Sequence, residues 1–169
     1  MKKIVLLFIA LTVCALARAE LSIKGIEVDL PANCQHINSL ETRKGTFADP
    51  CTAKNINWMS RISFLNGQSD LFITQTKEGI IQSVLLSNFD FDLALTSLEA
   101  KYGKPETLNS VIQNRMGAKF DQTEVIWRDG EKKLSLSKHG IEIGKSVLIL
   151  TGTESANALK NKNKPSTNL

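Results

Sequence analysis

The apolar positions of this chain begin with an unbroken run, residues 4–16, set between Lys2-Lys3 and the stretch Ala17-Arg18-Ala19. A basic start, a short apolar core and small residues at the last and third-last positions predict an export signal cleaved after Ala19. The run is shorter than the roughly 20 residues that span a bilayer. Leu11-Thr12-Val13-Cys14 offers a competing lipoprotein box in which Cys14 would be acylated, but Val13 stands where that processing takes a small residue. The expected location is therefore the periplasm or the medium, with no transmembrane anchor.

Beyond the signal the apolar rhythm changes. Residues 22–28 alternate as a strand does, and Pro31 sits where the first turn of a helix over 31–40 would place it, with Cys34 inside that helix. Residues 41–57 carry turn formers and no period. Strands are expected at 59–65, at 71–76 after an Asn66-Gly67 turn, and at 80–87 after Glu78-Gly79, which together make an antiparallel meander. Phe91, Leu95, Leu98 and Tyr102 then recur at helical spacing behind Asp90, an N-cap, with Asp92 in the first turn and Gly103 and Pro105 as stop signals. Residues 106–119 read as less regular. The best hairpin follows: Thr123, Val125 and Trp127 share a face with Leu134 and Leu136 across an Asp129-Gly130 type I′ turn, a register that sets Arg128 against Glu131 and Val125 against Leu134. Residues 146–151 form a last, fully apolar strand of the kind found at a sheet centre.

This order predicts an α+β fold: antiparallel sheet with two helices packed on one face, divisible near Phe89 into tandem helix-plus-meander halves. The expected organisation is a signal peptide at 1–19, a single domain at 20–154 and a disordered polar tail at 155–169.

Composition alters the picture once processing is considered. Of 21 basic residues, Lys2, Lys3 and Arg18 leave with the signal, so 150 residues remain with 18 bases against 17 acids. A net charge of +1 is no footprint for nucleic acid. Cys34 and Cys51 survive processing, and in an oxidising compartment an isolated pair without CxxC spacing reads as a structural disulfide closing a short loop.

The segment Phe91-Asp92-Leu93-Ala94-Leu95-Thr96-Ser97-Leu98-Glu99-Ala100-Lys101-Tyr102-Gly103-Lys104-Pro105, followed by strands bearing Trp127 and then Leu134 and Leu136, resembles small exported proteobacterial proteins of mostly unassigned function. It is also similar, more loosely, to the helix-Gly-x-Pro-then-meander unit of beta-lactamase-inhibitor-like and outer-membrane-assembly lipoprotein folds. The likeness covers about half of the mature chain, and it implies a binding module.

Catalytic patterns are missing from the sequence: it contains no Gly-x-Ser-x-Gly, His-Glu-x-x-His, phosphate loop or dinucleotide glycine motif. A histidine base would have to be His36 or His139, and Asp90 with Asp92 reads as helix capping before acid–base chemistry. No cofactor or metal is expected. The binding candidates are Phe47 and Trp58, large apolar side chains in or beside the irregular loop between the cysteines, which a disulfide would hold ready for a partner. Trp127 reads as core. The expected function is a non-enzymatic exported protein that engages another cell-envelope protein, as an inhibitor, an immunity or exclusion factor, or an assembly accessory. A small-molecule or glycan module would instead show a deep apolar cavity near Phe91 and Trp127, and a hydrolase would bring a histidine, a carboxylate and a nucleophile together.

Overall fold

The computed structural model describes residues 19–40, 57–140, 142–153 and 155. The expected signal, most of the loop between the cysteines and nearly all of the tail lie outside the described residues. Within them the chain runs α1 (Cys34–Leu40), β1 (Asn57–Phe64), β2 (Gly67–Gln75), β3 (Ile81–Ser87), α2 (Phe91–Tyr102), β4 (Glu106–Gln113), β5 (Lys119–Asp129), β6 (Lys132–Ser137) and β7 (Val147–Thr151). The strands form one seven-stranded sheet ordered β1-β2-β3-β7-β6-β5-β4, antiparallel at every pairing. Mostly antiparallel sheet with two helices is an α+β architecture, as the apolar pattern indicates.

One side of the sheet supplies the core. Cross-strand partners share a face, and here the inward row runs Leu71, Leu86, Leu148, Leu136 and Val125 across β2, β3, β7, β6 and β5. These residues join one buried cluster with Ile37 of α1, Ala94 and Leu98 of α2, and Leu21, Ile23, Ile26 and Val28 of the N-terminal segment. The apolar strand at the chain's end is indeed central, β7 lying fourth of the seven.

α2 follows the sequence closely. Asp90 Oδ1 accepts from the Leu93 N–H at 2.9 Å, and the Gly103 N–H donates to the Glu99 carbonyl at 2.9 Å. Gly103 is not a left-handed cap, however: its φ of 80° goes with a ψ of −170°, an extended exit open to glycine that turns the chain toward β4.

Elsewhere local signals give way. Residues 22–28 make no strand, because Lys24 and Gly25 take positive φ and fold the segment so that Ile23 and Ile26 bridge each other. The alternation is satisfied all the same, since the doubled segment buries its apolar residues. α1 starts at Cys34, not in the turn of Pro31, which bridges Ile80. Its cap is Asn33, whose Oδ1 accepts from the His36 N–H at 3.1 Å.

Both expected hairpin turns are displaced by one residue. β1 and β2 turn at Leu65-Asn66, with Gly67 already opposite Phe64. β5 and β6 turn at Gly130-Glu131, where only Gly130 has positive φ, the pattern of a type II′ turn. Val125 therefore faces Leu136 and Trp127 faces Leu134, two apolar pairs across the ladder where the expected register aligns only Val125 with Leu134. The greater apolar overlap outweighs the Asp-Gly preference. Residues 106–119 are also more regular than expected, because they hold all of β4 and its turn into β5.

Candidate functional site

The β4–β5 hairpin is built differently from the rest of the sheet. β5 is eleven residues long, yet β6 pairs only with Glu124–Asp129, so its first five residues pair with β4 alone among the described strands. A two-stranded ribbon thus extends past the end of β6. Its base is anchored: Gln122 donates through Nε2 to the His139 carbonyl at 2.7 Å and accepts the His139 N–H at 2.9 Å, while the Lys138 N–H donates to the Thr123 carbonyl.

At the tip, Asn114 organises residues 114–118. Its Oδ1 accepts from the N–H groups of Met116 at 3.0 Å and Ala118 at 2.9 Å, and its own N–H donates to the Ala118 carbonyl at 3.0 Å. Gly117, at φ 89°, closes the loop. The result is an ordered loop that holds Met116 90% exposed. Val111 is 62% and Leu108 46% exposed on β4, so three of the six large exposed apolar residues among those described belong to this one hairpin. β4 is also a sheet edge, and its sequence ETLNSVIQ contains no Lys, Arg or Pro of the kind that guards edges against pairing. Chemically, such an edge offers unpaired backbone donors and acceptors flanked by apolar anchors to an extended chain.

The residues chosen from sequence lie elsewhere. Phe47 and Cys51 are outside the described residues, and Cys34 opens α1. The Trp58 backbone stands opposite Ile73 in β1, at the far edge of the sheet from β4, and its side chain is outside the described set. The structure therefore does not bring Trp58 together with the exposed hairpin. The signal missed in residues 106–118 is a β-prone stretch, uncharged from Thr107 to Asn114, that ends in Asn114-Arg115-Met116-Gly117.

The titratable candidates are engaged in structural bonds. His36 Nε2 donates to the Lys24 carbonyl at 2.8 Å, clipping α1 onto the turn at Gly25. His139 Nδ1 accepts from the Gly144 N–H at 3.0 Å, and its ring meets Phe120 edge-on. Asp90 caps α2, while Asp92 is exposed. Trp127 is core, only 4% exposed, with its indole N–H donating to the Gly103 carbonyl at 2.7 Å.

Among the described residues, no three His, Cys, Asp or Glu side chains gather where they could hold a metal ion, and no helix is long and apolar enough to cross a membrane. The recess beside Trp127, about 270 Å³, is shared by Lys104, Glu106, Arg128 and Asp129 and does not include Phe91. A larger one of about 420 Å³ is bordered by Asp29, Thr76, Glu78, Ile80, Gln82 and Thr153. Both are open to solvent and bordered by charged side chains, unlike the deep apolar cavity of a small-ligand site. Compared with known proteins, the chain matches no family model, and neither a curated protein nor a solved structure is significantly similar to it.

Proposed function

We propose that this chain is a non-enzymatic binding protein of the bacterial cell envelope that engages an extended segment of another protein by strand addition at β4, with Leu108, Val111 and Met116 as anchors. The ordered tip of the β4–β5 hairpin carries the reading: a loop cross-braced by Asn114 presents Met116 to solvent beside an unguarded edge strand. A preorganised loop loses little entropy on binding, and methionine adapts to varied apolar pockets. Export through the signal at 1–19 and a Cys34–Cys51 disulfide belong to the same reading. So does a finer architecture in which both helices cover one face and the chain divides near Phe89 into two helix-plus-meander halves. Its support is the common cluster holding Ile37, Ala94 and Leu98, and the antiparallel pairing of β3 with β7, the last strands of the two meanders.

The test is capture of envelope proteins by the immobilised mature chain, Glu20 to Leu169, with three variants alongside. Val111→Lys and Met116→Lys are expected to lose a specific partner that the wild type and Trp58→Ala both retain. Loss with Trp58→Ala alone would return the site to the loop between the cysteines.

A further inference from the structure

The tip of the β4–β5 hairpin carries sulfur as well as apolar surface. The chain has three methionines, and Met1 belongs to the expected signal, so the mature chain keeps two, Met59 and Met116. Their surroundings differ. Met59 stands in β1 opposite Phe72 and is partly buried, whereas Met116 is 90% exposed, more than any other large apolar residue among those described. The loop beneath Met116 is ordered. Asn114 Oδ1 accepts from its N–H and from that of Ala118, and the Gly117 N–H donates to the Asn114 carbonyl at 3.0 Å, so the backbone fixes where the thioether emerges. Met116 belongs neither to the buried cluster nor to the residues packed against it, which lets its sulfur change chemically without disturbing the core. On the disulfide reading of Cys34 and Cys51, no thiol of the mature chain competes for an oxidant.

We propose that Met116 is a reversible oxidation site: a peroxide converts its thioether to the sulfoxide, and the change releases the partner held at β4. The release rests on the strand-addition reading; the oxidation does not. A lone pair of the Met116 sulfur attacks one peroxide oxygen, the S–O bond forms as the O–O bond breaks, and the second oxygen takes up the proton and leaves as water. Sulfur loses two electrons and the peroxide gains them. A methionine sulfoxide reductase reverses the step with a dithiol, which closes to a disulfide while the oxygen departs as water. The consequence for binding follows from polarity. A thioether enters an apolar pocket readily, whereas a sulfoxide carries a strong acceptor there, and burial without a donor should weaken binding by about tenfold or more.

Hydrogen peroxide added to the folded mature chain, with peptide mass spectrometry over time, tests the site. Met116 is expected to gain one oxygen atom about tenfold faster than Met59, and the two rates should converge in urea, where both sulfurs are open to solvent. Equal rates in the folded chain, or a faster Met59, overturn the proposal. The release is read in a Met59→Leu chain, in which Met116 is the one methionine left after the signal is removed. Peroxide should lower its capture of the envelope partner by about tenfold or more with the circular dichroism spectrum unchanged. Thioredoxin-driven methionine sulfoxide reductase should restore capture, with unoxidised chain carried through the same step as the control. Undiminished capture by chain oxidised at Met116 overturns the release. An untreated chain that captures nothing overturns the strand-addition reading and the release with it, while the ratio of the two oxidation rates decides the modification site on its own.

Discussion

Trp127 shows how much one side chain does here. Its ring fills the core, lies 6.4 Å from that of Tyr102, and its indole N–H secures the carbonyl at the end of α2. Trp127→Phe keeps most of the apolar volume and leaves the Gly103 carbonyl without this donor, a loss of about 1 kcal/mol. Trp127→Ala adds a cavity and should cost about 3–5 kcal/mol; urea denaturation of both variants measures the difference. Asp90→Ala removes the N-cap of α2 and should cost about 1 kcal/mol by the same method. Both residues were legible in the sequence, Trp127 through its place in an alternating strand and Asp90 through the helical spacing that begins after it. Lys132 was not, because its partner Glu20 is far away in the chain. The hydrogen bond that the Lys132 ammonium donates to the Glu20 carboxylate, at 2.9 Å, raises the Lys132 pKa above its ordinary value, with the neighbouring acids adding to the effect against partial burial. A raised folded value means that the pair's contribution is complete below the ordinary lysine pKa and is lost as pH rises through the folded one. Stability measured between about pH 9 and about pH 12 should therefore fall more steeply in the wild type than in Glu20→Gln.

At the scale of elements, helices and strands were readable to different depths. α2 needs only its own residues to declare a start, a buried stripe and a stop. A strand's inward face is equally local, and the grouping of Val125 and Trp127 with Leu134 and Leu136 follows from alternation alone. Register is not local. The Asp-Gly rule gave way at Gly130 because sliding the turn aligns two apolar pairs, and the like charges thereby opposed, Arg128 and Lys133, find acids on neighbouring strand positions. β4 escaped recognition because its ribbon buries almost nothing, leaving no alternation to detect. This exposure yields a prediction for the tip: Asn114→Ala should speed hydrogen exchange at the Met116 and Ala118 amides while changing global stability by no more than about 0.5 kcal/mol. A large loss of stability would mean that the tip is needed for folding rather than for presentation.

For the whole molecule, the two ends of the described chain are tied together. Asp29 holds a left-handed backbone, φ 64°, and its carboxylate accepts from the Thr153 N–H at 3.0 and 3.1 Å and from the Thr153 hydroxyl at 2.9 Å. A Cβ on Gly152 would collide with that carboxylate. Asp29→Ala should lower stability by about 2 kcal/mol or more. Asp29→Asn, which tolerates the same backbone, should cost less, and Gly152→Ala should cost about 1–3 kcal/mol through the clash; the order of the three urea midpoints tests the tie. Nothing in the sequence marks this contact, since its partners lie more than a hundred residues apart. The disulfide expectation at Cys34 and Cys51 follows from compartment and count, whereas the exposed edge of β4 emerges only when strand order is known.

The sequence by itself determined what depends on nearest neighbours along the chain: the capped helix α2, the alternating faces of the strands and the apolar segment that became β7. The tertiary structure decided which strands stand at the edges, how they register, and which apolar residues are left facing outward. The physical reason is the range of the interactions. Caps, helical stripes and strand alternation are settled within a few residues, while register and strand order are settled by the total apolar area that distant segments bury together, a quantity no single segment contains.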